Sequence, residues 1–229
     1  MNIFVAGHRG MLGREVVRAC KKQGHQVVTW RSRLEILLLP KAEVIINCAG
    51  ARPGRSPLEM AISNTMVSHR LASFGVRMVH MSTDCVYSGR QTPEKDKPDP
   101  IDLYGATKLA GESFLPHVLN VRGSFIGPQH GFLRWILDHP GPEIKGWANA
   151  RWNGTFVVEM AQTLVELAEG DLTGTIHVSS HQEDTKANLV WYIVKKMRPD
   201  LKVRFVDEPV INRVLKTDVA VTPAVRYFL

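Results

Sequence analysis

The feature that most restricts the fold of this chain is the alternation of short apolar strands with helical segments in its first half. Runs rich in Val, Ile and other apolar residues are separated by longer stretches with helical periodicity. Strands that alternate with helices form parallel sheets with right-handed crossovers, so the pattern predicts a doubly wound α/β fold of the Rossmann type. The predicted strands cover residues 2–7, 25–30, 43–50, 76–82, 117–124 and 174–180.

Helical periodicity fills the intervals between these strands and much of the C-terminal third. The predicted helices cover residues 11–24, 56–75, 102–115, 132–139, 157–169 and 187–197. We expect residues 1–127 to form a dinucleotide-binding Rossmann domain, to which residues 154–180 return. Residues 128–229 are expected to form mainly a small substrate-binding lobe.

Composition and charge limit the classes of function. Hydrophobic residues make up 44% and charged residues 22% of the chain, which is ordinary for a soluble globular protein. There is no apolar run of about 20 residues and no signal-like N-terminus, so we expect a cytoplasmic protein with no membrane partner. The three cysteines show no zinc spacing, and no metal site is predicted. The net charge of +7 is scattered, which favours a phosphate-bearing ligand and predicts no nucleic-acid partner.

A glycine-rich segment, VAGHRGMLG, joins the first predicted strand to the first predicted helix. Gly7, Gly10 and Gly13 are spaced as in loops that turn tightly and let a pyrophosphate approach the backbone. The helix that follows presents free N–H groups to such an anion. The alternative is a glycine-rich turn without a ligand, but the position at the first strand–helix junction favours a dinucleotide.

The end of the second predicted strand indicates which nicotinamide cofactor binds. An acidic residue at this place suits the 2′-hydroxyl of NAD, whereas an arginine suits the 2′-phosphate of NADP. Here the strand is followed by Arg31, Ser32 and Arg33. The sequence therefore favours NADPH over NADH, although a solvated basic loop would look the same.

Two further motifs place hydroxyl, phenol and ammonium groups where a substrate would meet the cofactor. The fourth predicted strand ends in STD, so the hydroxyl of Ser82 or Thr83 lies at the carboxyl edge of the sheet. Tyr104 and Lys108 lie four residues apart, on one face of a helix. A free tyrosine has a pKa of about 10, and we expect Lys108 and the oxidised nicotinamide to lower it. The tyrosine then acts as general acid when a carbonyl is reduced.

The motifs GHRGMLG, STDCVYSG and YGATKLAGE together resemble the extended short-chain dehydrogenase/reductase family. The branch that is most similar comprises dTDP-4-dehydrorhamnose reductase and related sugar-nucleotide reductases and epimerases. The segment AGHRGMLG…WRSR also resembles the cofactor loop of GDP-fucose synthase. The resemblance implies an NADPH-dependent reductase of a nucleotide-linked 4-keto-6-deoxysugar, and a homodimer is a further expectation.

The resemblance also implies roles for individual residues. It makes Thr83, Tyr104 and Lys108 catalytic and suggests that Asn64 supports the lysine through water. The implied cofactor contacts are Gly7, Arg9, Gly10, Met11, Leu12, Gly13, Arg31, Ala49, Gly50, Tyr104 and Lys108. The implied substrate contacts are Thr83, Asn149, Trp152 and Asn153, with simple packing as the alternative for the tryptophan.

Two features leave alternatives open. Cys85 stands where a GDP-fucose-synthase-like enzyme has a proton-handling cysteine, although a small buried side chain explains it as well. Residues 31–43 are shorter than the family usually has between these strands, and the C-terminal lobe is thin. The alternatives to a reductase are therefore a sugar-nucleotide epimerase/reductase and a non-catalytic, NADP-binding regulatory subunit.

Overall fold

A computed structural model describes residues 1–30 and 41–228 of the chain. Within these residues the strands are, in chain order, β1 (Asn2–Ala6), β2 (Gln26–Val28), β3 (Val44–Asn47), β4 (Arg77–Met81), β5 (Val118–Gly123), β6 (Phe125–Ile126), β7 (Glu143–Trp147), β8 (Ala150–Trp152), β9 (Thr155–Phe156), β10 (Gly174–Ser179), β11 (Asp184–Thr185), β12 (Lys202–Val206), β13 (Ile211–Arg213) and β14 (Val219–Ala220). The α-helices are α1 (Met11–Lys22), α2 (Pro57–Met60), α3 (Val67–Ala72), α4 (Leu103–Ala110), α5 (Phe132–Leu137), α6 (Val157–Glu169) and α7 (Lys186–Met197).

The predicted α/β fold is confirmed. Seven strands form one parallel sheet in the order β14-β10-β5-β4-β3-β1-β2. The chain leaves β1 for β2 on one side and later returns to place β3 on the other side of β1. In such sheets a crevice opens beyond the carboxyl ends of the two strands at the reversal.

The strands of this sheet are apolar along their whole length because helices cover both faces. Ile3 and Val5 of β1 pack in a core cluster with α1 and α6, whereas Phe4 and Ala6 pack in a second cluster with Leu71 of α3. Successive side chains of a strand point to opposite faces, so both sets must be apolar. The strand at 174–179 pairs with β5 and β14, and the helix before it, α6, packs in the first of these clusters.

The helix predicted over residues 56–75 is interrupted by a π-helical segment. Ser56 caps its start, with its side chain accepting from the N–H of Glu59, and α2 runs into a π-helix at Ala61–Met66 before α3 continues. Such π turns are frequent at functional sites. Here the wider turn contains the buried Asn64.

The C-terminal part is richer in short strands than the sequence suggested. Beside α5 and α7 it contains small sheets of β11-β8-β13, β12-β7 and β6-β9. A separate core cluster holds it together, with Ile136, Ile144, Trp152 and Ile193 among its buried members. No helix within residues 1–30 and 41–228 has the length and apolar composition that spanning a membrane would require.

Candidate functional site

The loop between β1 and α1 has a backbone that only glycine permits. Gly7 has a φ of +73°, and a Cβ there would lie 2.6 Å from the backbone nitrogen of Ala49. A Cβ on Gly13 would lie 2.2 Å from the carbonyl oxygen of Gly7. These contacts bring the loop, the helix and the end of β3 together. Gly7 and Gly13 therefore allow the close backbone contacts of the loop, and neither places a side chain on the loop surface.

The first turn of α1 is arranged to receive an anion. Gly10 is the N-cap residue, no side chain caps the helix, and the first turn contains no acidic residue. The N–H groups of a first helical turn lack intrahelical partners and carry the positive end of the helix dipole. A phosphate is the kind of group that such a helix start binds.

This helix start forms one wall of a cleft of about 410 Å³. The cleft brings together the predicted cofactor residues Gly10, Met11, Leu12, Ala49, Gly50, Tyr104 and Lys108. Arg9 is exposed beside the loop and does not line the cleft. Arg31, Ser32 and Arg33 lie outside the described residues, so the choice between NADPH and NADH stays a prediction.

The helix that carries Tyr104 and Lys108 packs unusually close to the turn after β4. Asp102 caps α4, its Oδ1 accepting from the N–H of Gly105 at 2.7 Å. A Cβ on Gly105 would lie 2.2 Å from the carbonyl oxygen of Cys85, and one on Gly111 would lie 2.0 Å from that of Asn64. Glycine at these two positions lets α4 touch its neighbours backbone to backbone.

Lys108 is a buried ammonium fixed by the protein. Its Nζ donates to the carbonyl oxygen of Met81, at the end of β4, over 2.6 Å. Burial lowers the pKa of Lys108 to about 8, while the nearby Glu112 carboxylate opposes the shift. The ammonium is thus held at the floor of the cleft, one helical turn from Tyr104.

Thr83 and Tyr104 are neighbours, and the Thr83 hydroxyl acts to lower the pKa of the phenol. The Thr83 hydroxyl also donates to Oδ1 of Asp84 and accepts from the N–H of Cys85, both over 3.2 Å. Burial raises the pKa of Tyr104 above its ordinary value, and the neighbouring Cys85 and Asp84 add to this, while Thr83 lowers it. The protein's own groups therefore raise the pKa of the phenol, and the lowering that we expected from Lys108 together with the oxidised nicotinamide stays a prediction.

The hydroxyl proton of Ser82 is used by a neighbouring carboxylate of the protein. Its hydroxyl donates to Oε1 of Glu112 over 2.6 Å. Arg122 of β5 donates to both oxygens of the same carboxylate, over 2.9 and 2.7 Å, and to the hydroxyl of Tyr87. The side chains of Arg122 and Glu112 are 3% and 0% exposed. This buried cluster links the residues that follow α4 to β4 and β5. Ser82 lines the cleft and Thr83 does not, so the role of the Thr83 hydroxyl toward a substrate stays a prediction.

Sequence reasoning missed this cluster, although its signal was visible. Glu112 lies four residues after Lys108 in YGATKLAGE, so both point to one side of the helix. Arg122 interrupts an apolar strand that was predicted to be buried, and a buried cation requires a partner. The two observations together would have predicted the ion pair.

Asn64 connects one wall of the cleft to α4. Its Oδ1 accepts from the N–H of Ala51 over 2.7 Å, and its Nδ2 donates to Oγ1 of Thr107 over 3.0 Å. Both polar ends of the amide are thus used in positioning the 49–51 loop against α4. Support of Lys108 by Asn64 through a water stays a prediction.

The three predicted substrate contacts in the C-terminal part do not line the cleft. Asn149 is exposed and donates to the carbonyl oxygen of Asp207. Asn153 is buried and bonds to backbone groups of Ser180 and Leu215. Both amides therefore serve the internal structure of this lobe. Trp152 is 5% exposed within the C-terminal core cluster, which agrees with its alternative reading as a packing residue.

Cys85 lies on the side of the Thr83 turn that faces the C-terminal lobe. Burial raises the pKa of its thiol to about 12, and Asp84 adds to the shift. The guanidinium of Arg213, from β13, donates to its sulfur. The thiol is therefore protonated at neutral pH, and the small buried side chain remains the simpler account of it.

Comparisons with known proteins agree with this architecture. A dTDP-4-keto-6-deoxy-D-glucose reductase of Streptomyces niveus is 30% identical, with 85% of this chain and 76% of the relative covered. Methionine adenosyltransferase 2 subunit beta of Rattus norvegicus is 28% identical over 92% of this chain and 77% of its own length. A dTDP-4-dehydrorhamnose reductase from Bacillus anthracis, solved with NADP, superposes with a TM-score of 0.84 at 19% identity, over 99% of this chain and 96% of that one.

The family model that matches the chain covers the turn that contains Thr83, α4 and most of the C-terminal part. It spans residues 59–216 and is described as the RmlD substrate binding domain. The match begins after the glycine loop and includes Thr83, Tyr104 and Lys108. This chain belongs to the RmlD substrate binding domain family.

Proposed function

We propose that this chain is an NADPH-dependent oxidoreductase of the extended short-chain dehydrogenase/reductase type that reduces the 4-keto group of a nucleotide-linked 6-deoxysugar. The observation that carries the proposal is that Tyr104 and Lys108 line the same cleft as the uncapped start of α1, with Thr83 near enough to the phenol to lower its pKa. Relatives that are named as reductases of such sugars support the substrate class.

The residues of the cleft fit a dinucleotide. Any side chain at Gly7 or Gly13 would fill the space that the loop backbone occupies, and the first turn of α1 keeps its N–H groups free. The Nδ1 of His130, on the opposite wall, is buried and has no partner among the described residues. Gly10, Met11, Leu12, Ala49 and Gly50 would hold the cofactor, which supplies a hydride when bound.

The proton would come from Tyr104. A neutral phenol is the form that can protonate the oxygen of a ketone under reduction, and the raised pKa of Tyr104 keeps it neutral. Thr83 would donate to the same substrate oxygen and hold it against the phenol. Lys108 would stabilise the tyrosinate that remains. It would do so either by moving from the Met81 carbonyl toward the phenolate or through the ribose hydroxyls of the cofactor.

Two alternatives have an observation of their own. The position of Cys85 beside Thr83 favours an added epimerisation step, although its protonated thiol counts against it. The likeness to a methionine adenosyltransferase subunit over 92% of the chain favours a non-catalytic, NADP-binding subunit. The complete set of Thr83, Tyr104 and Lys108 favours the reductase over the subunit.

The test is the loss of NADPH absorbance in the presence of a panel of nucleotide-linked 4-keto-6-deoxyhexoses. We expect Tyr104→Phe to lower turnover about 100-fold or more, since it removes the general acid, while the Kd for NADPH changes little. Tyr192→Phe, in the half-buried surface of α7, is the matched control and should keep full turnover.

Two outcomes would contradict the proposal. Retained turnover in Tyr104→Phe would remove the phenol from the mechanism. A wild-type protein that binds NADPH and reduces none of the sugars would make the subunit reading the better one.

A further inference from the structure

A second, half-buried ammonium lies on the other side of the Thr83 turn. Lys186, the first residue of α7, places its Nζ 3.7 Å from the ring centre of Trp152 and 4.6 Å from that of Phe132. Among residues 1–30 and 41–228 it has no hydrogen-bond acceptor and no carboxylate within 4.0 Å. An ammonium has three N–H donors, and ring faces satisfy only its charge. Lys186 is therefore a cation for which the described residues supply no anionic partner.

The charge around Lys186 is unbalanced. It faces Asp84 and Cys85 of the Thr83 turn and Arg213 of β13, all of which act on its charge. Arg213 is also without a carboxylate within 4.0 Å in the described part of the chain, and its guanidinium contacts the neutral thiol of Cys85. Asp84 acts on both cations and Asp102 on Arg213, yet neither cation forms an ion pair with a described carboxylate. Burial lowers the pKa of Lys186 to about 8, as expected for an ammonium that lacks an anion.

This cluster is separate from the cofactor cleft. Neither Lys186 nor Arg213 lines the cavity that contains the start of α1 and Lys108. The cluster contacts the opposite side of the residues that follow β4, next to Thr83, whose Oγ1 accepts from the N–H of Cys85. A substrate whose reacting oxygen binds Thr83 and Tyr104 would extend its remaining groups toward this side.

We propose that Lys186, with Arg213, binds an oxyanion of the substrate and so selects for an anionic sugar nucleotide. The inference deepens the proposed function and rests on it for the identity of the substrate. The oxyanion has two sources of the same chemistry: the diphosphate that links sugar and nucleoside, or a carboxylate on the sugar itself. Either source would give the ammonium a charged hydrogen bond, which no described residue supplies.

The experiment measures binding by calorimetry, so that it does not depend on turnover. The ligands are dTDP and thymidine, which differ in the diphosphate, and UDP-glucuronate and UDP-glucose, which differ in a carboxylate. The proteins are wild type, Lys186→Met, Lys186→Arg and Lys195→Met. Lys195 is the matched control, since it lies on the same helix with its Nζ 4.8 Å from the ring centre of Trp191.

We expect Lys186→Met to weaken dTDP about ten- to 100-fold and to leave thymidine and NADPH unchanged. Lys186→Arg should restore most of the affinity, and Lys195→Met should behave as wild type. A loss for UDP-glucuronate that is not seen for dTDP or UDP-glucose would also support the inference and would assign the sugar carboxylate as the source.

Other outcomes would overturn it. An equal loss for thymidine and dTDP would mean that Lys186 only supports the packing of Trp152. Unchanged binding in Lys186→Met, or a wild type that binds none of the four ligands, would remove the anion site. Failure of the proposed function is distinguishable: the wild type would then reduce no sugar, while Lys186 would still govern the affinity for dTDP.

Discussion

Lys108 and Lys186 are ammonium groups on opposite sides of the turn after β4, and the protein surrounds them differently. Lys108 donates to the carbonyl of Met81 and lies near the buried pair of Glu112 and Arg122. Lys186 lies over the rings of Trp152 and Phe132. It is near the guanidinium of Arg213, which donates to the sulfur of Cys85 and has no carboxylate within 4.0 Å among the described residues. The two ammonium groups therefore differ in whether the protein supplies a hydrogen-bond acceptor. Lys108 has its acceptor within the protein, whereas Lys186 has none among the described residues.

The largest effect that would test this comparison is on stability. Glu112→Gln leaves the buried guanidinium of Arg122 without its charge partner, and we expect the free energy of unfolding to fall by about 3–5 kcal/mol. Urea denaturation measures the change. The same measurement on Lys186→Met should show a loss of less than about 1 kcal/mol, because no ion pair is broken.

The control for this prediction is an exposed carboxylate. Glu94 pairs with Lys97 at the surface, so Glu94→Gln should change the free energy of unfolding by less than about 0.5 kcal/mol. If Glu112→Gln behaved like Glu94→Gln, the buried cluster would not be the support that we assign to the cofactor side.

An intermediate effect concerns pH. The pKa of Lys186 is lowered to about 8, so its ammonium is charged below that pH and neutral above it. Asp84, Cys85 and Arg213 face it, and of these the thiol titrates far higher, with a pKa of about 12. The affinity for dTDP should therefore be highest below pH ~8 and fall by up to about tenfold per pH unit above it.

Calorimetric titrations between about pH 7 and 9.5 measure this dependence. In Lys186→Arg the guanidinium stays charged across the range, so its affinity should be flat. A wild-type profile as flat as that of the arginine variant would remove Lys186 from anion binding.

The smallest expected effect is at Cys85. The thiol is protonated at neutral pH, so Cys85→Ser should change ketone reduction less than about threefold. Proton NMR in deuterated water would detect exchange at the carbons next to the ketone. Exchange that the wild type catalyses and Cys85→Ser does not would show that the cysteine handles protons and that the epimerase alternative is the better one.

The sequence predicted the parallel sheet and the cofactor cleft because both depend on local signals. Buried strands of a parallel sheet are uninterrupted apolar runs, and the loop glycines mark places where no Cβ fits. The relation between Tyr104 and Lys108 also follows from helix geometry alone. Each of these features can be read within a window of about one strand or one helical turn.

What the sequence did not predict depends on residues that are distant along the chain. Lys186 of α7 contacts Trp152 of β8 only through the tertiary structure of the C-terminal lobe. The partner of Glu112, Arg122, lies on the next strand, β5. The small strands of that lobe are two to five residues long and carry too few residues for a periodic pattern. Burial is the largest cause of the raised pKa of Tyr104, and desolvation of a side chain depends on residues from several elements.

The backbone contacts of α4 have a consequence for mutational tolerance. Gly105 and Gly111 carry no reactive group, yet a single methyl at either would have to displace the helix by more than 0.5 Å to clear the carbonyl 2.2 or 2.0 Å away. Displacements of that size are enough to disturb a hydride- or proton-transfer geometry. A saturation scan of this chain would therefore find Gly105 and Gly111 among the positions that tolerate substitution least. At both, the absence of a side chain is what allows α4 to pack closely enough for the enzyme to work.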